Sequence, residues 1–258
     1  MNLIKNTFIF LWRMWFYLWV ISTILLSLPV LIIVIANENW YHIFYKIAHY
    51  WARTTLFVMG FSSKLYVEEK VDPGKSYLFC PNHTSMIDVF LILAITKNPF
   101  VFIGKKELVN IPVFGYIYKR TCILVDRNDL KSRQNAFKEA QERLKKGLSI
   151  CIFPEGKVPD DENIILDTFQ KGAFRLAIEF QIPLVPITFF DCKKRFSYTF
   201  FSGSPGVLRV KKHKFLPTKG LSQKDKDLLK DQTYQIIFNE LVSDSKPWAL
   251  ATLKNKVN

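Results

Sequence analysis

Residues 77–95 read YLFCPNHTSMIDVFLILAI. Tyr77–Cys80 is a short, wholly apolar run closed by Pro81, and Thr84–Ile95 carries its apolar residues at helical spacing behind a Thr-Ser pair suited to capping a first turn. A buried strand that hands over to a helix through a polar Asn82-His83 turn is the repeating unit of an α/β layer. The unit recurs along the chain. Val101–Ile103, Cys122–Val125, Ser149–Phe153 and Pro183–Thr188 predict further buried strands. Ser132–Lys146 (ended by Gly147), Phe169–Phe180 and Gln223–Val242 predict helices between and after them. The expected fold class is therefore α/β, a mostly parallel central sheet flanked by helices. Residues 207–215 predict one more strand, exposed and charged on both faces through Arg209, Lys211, Lys212 and Lys214. No linker rich in Gly or Ser interrupts this pattern, so residues 61–258 are expected to form one domain.

Residues 1–60 have a different character. The 258-residue chain is 49% apolar, with 36 Lys+Arg against 22 Asp+Glu and a net charge of +14. That hydrophobicity excludes a disordered chain, and 10 Gly and 12 Pro without a period exclude a collagen-like one. The first 60 residues hold Lys5, Arg13, Lys46 and Arg53 against Glu38 alone, a net of +3, so +11 rides on the remainder. Five of the six tryptophans (Trp12, Trp15, Trp19, Trp40 and Trp51) also fall there. Met14–Asn37 carries no charge, and its ~24 residues make a helix of roughly 36 Å, enough for a ~30 Å hydrocarbon core. Aromatic clustering at its start suits a membrane interface. Pro29 is expected to kink the run, and the second apolar-aromatic stretch, residues 39–63, is broken by Lys46 and Arg53. The expectation is a bent helical pair that enters one leaflet and returns, with a single span as the alternative. Cys80, Cys122, Cys151 and Cys192 sit singly in or beside apolar runs, which suits buried free thiols in a reducing compartment. Together these place the protein on the cytoplasmic face of the cell membrane, the inner membrane in a bacterium.

Three clusters carry chemistry. His83 and Asp88 are five apart, ~140° on a continuous helix, so they converge only if His83 precedes the helix, Thr84 or Ser85 caps it, and Asp88 lies one turn in. An Asp so placed holds one imidazole nitrogen and leaves the other as a base; the plainer reading is a capping box with an incidental histidine. Phe153-Pro154-Glu155-Gly156-Lys157 closes the most apolar strand and puts a carboxylate and backbone amides where α/β proteins bind ligands. Lys105 and Arg127 each follow a strand and can reach one sheet edge, where cations suit a phosphate. His42, His49, His83 and His213 have no metal-ligand spacing, and the chain contains no G-x-S-x-G elbow. The basic cluster Lys193-Lys194-Arg195, with residues 209–214, lacks interleaved aromatics and a recognition helix, so nucleic acid is not an expected partner. An anionic membrane surface, worth about 1 kcal/mol per well-placed cation, accounts for it.

In order, these blocks resemble the glycerolipid acyltransferase superfamily, in particular the 1-acyl-glycerol-3-phosphate acyltransferases. Asn82-His83-x4-Asp88 is similar to the family's first block, Gly115 through Arg127 to its second, Phe153-Pro154-Glu155-Gly156 to its third and Val185-Pro186-Ile187 to its fourth. The likeness covers roughly residues 60–190 and implies an O-acyltransferase. His83, oriented by Asp88, would act as general base on a lysophospholipid hydroxyl without a covalent acyl-enzyme. Lys105 and Arg127 would take the acceptor phosphate, and Glu155 the glycerol hydroxyls. Amides near His83 or Gly156 would meet the oxyanion. Acyl-CoA or acyl-carrier protein would serve as donor substrate, with no cofactor and no metal. The implied partners are that donor, the lysophospholipid acceptor and membrane lipids. One departure stands out: where the family continues Glu-Gly-Thr-Arg-Ser, this chain reads Glu155-Gly156-Lys157-Val158-Pro159. Lys157 or Lys171 is expected to supply the missing cation. The alternatives are a different acceptor, such as a lyso-ornithine lipid or other lysophospholipid, and a membrane scaffold without turnover, against which the intact His83 and Asp88 argue.

Overall fold

The computed structural model describes residues 2–161 and 163–254. Two helices lead, α1 (Asn2–Ala36) and α2 (Tyr41–Val58), and the sheet begins at β1 (Phe61–Val67). There follow β2 (Leu78–Pro81), α3 (Ile87–Ile95), β3 (Phe100–Lys105), α4 (Phe114–Thr121), β4 (Ile123–Val125), α5 (Leu130–Lys145) and β5 (Ser149–Cys151). The chain closes with α6 (Gly172–Glu179), β6 (Leu184–Phe189), α7 (Cys192–Arg195), β7 (Gly206–Lys212) and α8 (Lys226–Lys254). The seven strands lie in the order β1-β7-β6-β2-β5-β3-β4, parallel throughout except for the antiparallel pair β6–β7. Every residue of β2, β5 and β6 is buried, as continuous apolar runs demand when helices cover both faces.

Three expectations change. The 207–215 strand is not exposed: β7 lies between β1 and β6 with Leu208 and Val210 fully buried. Its charges reach partners on α8 and elsewhere, Arg209 on Asp191 and Asp244, Lys211 on Glu68 and Glu240, which is how a charged strand sits inside a sheet. Second, α3 starts at Ile87 rather than Thr84; its N-cap residue Met86 makes no side-chain cap, and Ser85 Oγ accepts the Ile87 amide (3.3 Å). Third, α1 runs on through Pro29 to Ala36 as one helical segment.

The two leading helices are packed on the domain. From Ile9 through Arg13, Phe16, Leu31 and Ile35, one face of α1 is buried, while Phe8, Leu11, Trp15, Leu18 and Leu26 on its other face are exposed. Trp12 Nε1 donates to the Met59 carbonyl (3.1 Å), and Leu31 and Ile35 pack on Ile117 of α4. The hydroxyls of Tyr41 and Tyr45, on α2, donate to the carbonyls of Phe100 (2.8 Å) and Thr96 (3.0 Å). His49 Nδ1 meets the Leu93 carbonyl at 2.7 Å, so this histidine docks α2 onto α3. All four cysteines are buried free thiols.

Candidate active site

β2 is central and ends at Pro81, and the next residues are held from several sides. Asn82 is fully buried; its side chain donates to the Phe189 carbonyl (3.1 Å) and accepts from the Phe189 amide (2.7 Å), extending the β2–β6 ladder by one false rung. His83 therefore leaves the sheet at a fixed point. Its amide donates to Glu155 Oε1 (2.6 Å), and its ring lies on Phe153 with centroids 4.1 Å apart and planes 23° apart. Nδ1 sits 2.9 Å from Asp88 Oδ2, and the same oxygen accepts the amides of Thr84 (2.6 Å) and Ser85 (2.8 Å). Asp88 is fully buried, so this carboxylate both closes the turn and orients the imidazole. With the Nδ1 proton held by Asp88, Nε2 is the lone-pair nitrogen. The neighbouring Cys192 thiol is pushed far up by burial, with Asp88 adding to it, and stays protonated.

Glu155 is a support for this turn. One oxygen takes the His83 amide and the other the Asp167 amide (3.0 Å), the residue is 3% exposed, and it does not line the cavity described below. Both of its oxygens are thus engaged by backbone amides, one of them the His83 amide, rather than facing the cavity as expected for a contact with glycerol hydroxyls. Burial raises its pKa to about 8, against the lowering effect of those two N–H donors. The amides expected for an oxyanion are also engaged, His83 with Glu155, Thr84 and Ser85 with Asp88, and Gly156 with the Phe153 carbonyl (3.1 Å).

A cavity of about 950 Å³ opens at His83. Leu31, Tyr45, Phe44, Ile47, Ala48 and Trp51 of α1 and α2 contribute apolar wall. The polar lining includes Lys105, Arg127, Gly156, Lys157, Asp160 and Lys193. β3 and β4 pair with Lys105 opposite Val125, which brings Lys105 and Arg127 to one edge, as their positions after two strands predicted. Gly156 has φ +84°, and a Cβ there would stand 1.8 Å from Arg127 Nη1, so the glycine both makes the turn and admits the guanidinium. Lys157 is ion-paired with Asp160, and Lys171 bonds Asp227 on α8 outside the cavity. Neither expected stand-in reaches the ligand space unpaired. Lys193 does line it, with Nζ on the Ile164 carbonyl (2.9 Å). Sequence reasoning had put that residue in a surface charge cluster, because nothing local shows that α7 folds against the site. Ser197, Tyr198 and Thr199 line the cavity too, and no sequence signal marked them.

A part-buried histidine held by a buried aspartate, facing a cavity lined by both apolar and cationic side chains beyond the carboxyl end of a mostly parallel sheet, fits an enzyme class that does acid–base chemistry on an amphipathic ligand. The chain belongs to the acyltransferase family, whose model, described as Acyltransferase, matches residues 62–190. A chloroplastic 1-acyl-sn-glycerol-3-phosphate acyltransferase of Brassica napus is 28% identical over 72% of this chain and 52% of its own. The human 1-acyl-sn-glycerol-3-phosphate acyltransferase beta is 25% identical over 78% of this chain and 72% of its own. The chain thus spans only about half the length of the Brassica relative. In fold it is similar to the crystal structure of the 1-acyl-sn-glycerophosphate acyltransferase PlsC of Thermotoga maritima, with TM-score 0.73 and 21% identity over 94% of this chain and 97% of that one.

Proposed function

We propose that the protein transfers a fatty acyl group from an acyl thioester, acyl-CoA or acyl-carrier protein, to the sn-2 hydroxyl of 1-acyl-glycerol-3-phosphate, giving phosphatidic acid. The observation that carries this reading is that His83, tied to Asp88 at 2.9 Å, lines one cavity together with apolar side chains of α1 and α2 and with Lys105, Arg127 and Lys193. A phosphate on the cations and an acyl chain on the apolar wall bring both reacting groups to Nε2. Nε2 takes the hydroxyl proton as the oxygen attacks the thioester carbonyl. The new C–O bond forms, the C–S bond breaks, and the departing thiolate recovers the proton from the imidazolium. A thiolate leaves readily, so no acyl-enzyme is required.

The relatives named for 1-acyl-sn-glycerol-3-phosphate support this acceptor. The exposed apolar face of α1, opposite one packed along the domain, supports a helix lying in one leaflet rather than crossing it. Four reduced thiols support the cytoplasmic side. One observation favours a second reading: Asp160 lines the cavity and pairs with Lys157, and Val158 stands where the family's third block carries its arginine, which suits a lysolipid with a cationic headgroup. Assaying the purified protein on lysophosphatidic acid, other lysophospholipids and lyso-ornithine lipid, with both donors, separates the two. Preference for lysophosphatidic acid supports the first; indifference to it, with turnover of an aminolipid, overturns it.

A further inference from the structure

The turn between α7 and β7, residues 197–202, has features that the chemistry above does not use. Arg13, buried in α1, donates from Nη2 to the carbonyls of Ser197 (2.8 Å), Thr199 (3.1 Å) and Ser202 (3.0 Å), and its guanidinium also lies over the rings of Phe196 and Phe200. Within the turn the Thr199 amide donates to Ser197 Oγ (3.1 Å) and the Ser202 amide to the Thr199 carbonyl (3.2 Å). The backbone is thus held rigidly, yet its tip presents two large rings outward, Tyr198 at 56% and Phe201 at 54% exposure. A fixed loop that displays aromatic rings needs something to receive them.

The neighbouring surface indicates what. Phe10 of α1 touches Phe200 (centroids 6.0 Å), and Phe10 continues into the exposed stripe of Phe8, Leu11 and Trp15. Just ahead of the loop in the chain is the cationic α7, with Lys194 exposed and with Lys193 and Arg195 part-buried on the Ile164 carbonyl and on Ser204 and Pro205. Apolar stripe, aromatic tip and basic flank in succession match the layering of a bilayer interface: acyl boundary, headgroup level, anionic surface. We propose that the 197–202 loop is a second lipid-contacting element, which inserts Phe201 and Tyr198 into an anionic bilayer beside the first half of α1. Because Ser197, Tyr198 and Thr199 also line the cavity, insertion sets the cavity mouth at the interface, and a lysolipid enters without crossing water. The proposal rests on the reading of α1 as membrane-embedded.

Because the four native cysteines are buried, single surface cysteines can be labelled on the full-length protein. Phe201→Cys, Leu18→Cys on the exposed face of α1, and Lys75→Cys, ahead of β2 at the opposite end of the sheet from His83, would each carry an environment-sensitive NBD group. In vesicles of phosphatidylglycerol and phosphatidylcholine, shallow spin-labelled lipids should quench the labels at 201 and 18 within about twofold of each other, as expected for one depth of roughly 5–10 Å. The label at 75 should be unaffected. Quenching at 18 without quenching at 201 would overturn the loop proposal and leave the α1 reading standing, whereas loss at both sites would remove the reading beneath it. Shielding of 201 that appears without lipid and grows with protein concentration would assign the loop to a second copy of the chain, and also overturn the proposal.

Discussion

His83 is fixed by contacts of three kinds, an ion-pairing hydrogen bond through Nδ1, a ring stack on Phe153 and a backbone bond to Glu155, so its freedom to turn is spent before substrate arrives. Glu155 carries a cost with this role. Its folded pKa of about 8 lies above the ordinary 4.5, so between those values folding requires the side chain to take up a proton. Stability from this group is greatest below pH 4.5 and falls as pH rises towards 8, with a slope of at most about 1.4 kcal/mol per pH unit. Melting temperatures measured from pH 5 to pH 8 should decline more steeply in the wild type than in Glu155→Gln, which lacks the titration; parallel curves would refute it. Gly156 makes a second test at this scale. In Gly156→Ala the new methyl meets Arg127 Nη1, so the guanidinium must move, and φ +84° becomes strained. The expected result is an acceptor KM raised about tenfold, equivalent to about 1.4 kcal/mol, with kcat less affected. The pairing of His83 with Asp88 was legible from the block resemblance, and only weakly from spacing. The presence of Lys193 in the cavity wall was not legible, because it comes from a separate element 36 residues further on than Lys157.

Among elements, all five segments read as buried strands are strands, β2 to β6, and three of them, β2, β5 and β6, are buried at every residue. β1 was absorbed into the preceding aromatic stretch because all its residues after Phe61 are exposed, which leaves no periodic signal. β7 showed its charges but not their partners, which lie on β1's exit, beside α7 and on α8. The start of α3 was misplaced because Asp88 reaches backwards to the Thr84 and Ser85 amides, doing from inside the helix what a cap residue does from outside. Asn82 is the joint between β2 and β6. Asn82→Ala strands the amide and carbonyl of Phe189 in a fully buried place, at about 1–3 kcal/mol per unsatisfied group. Denaturant unfolding should show a loss of about 3 kcal/mol; a loss below about 1 kcal/mol would mean that the strand ends are held by the ladder alone.

At the scale of the whole molecule, the leading helices and the sheet share one cavity. Leu31 of α1, Ala48 and Trp51 of α2, His83 behind β2 and Lys105 at the end of β3 all line it, so the apolar front of the chain contributes a wall of the site as well as an exposed face. The asymmetry in composition is reflected in the cavity, where apolar residues of the first 60 and cations of the remainder line the same space as His83. Enlarging Ala48 in the apolar wall, as in Ala48→Phe, should shift donor use towards shorter acyl chains while leaving acceptor KM unchanged, read from initial rates across a donor series. A uniform fall at all lengths would place the acyl chain elsewhere. The central claim is that this cavity performs acyl transfer through His83. Its most direct test is the initial rate of acyl transfer to lysophosphatidic acid by purified, vesicle-reconstituted wild type and His83→Ala, with folding of both verified by their melting transitions. The account predicts a fall of about 10²–10⁴-fold in kcat with the fold intact; a folded His83→Ala protein that turns over at the wild-type rate would contradict it.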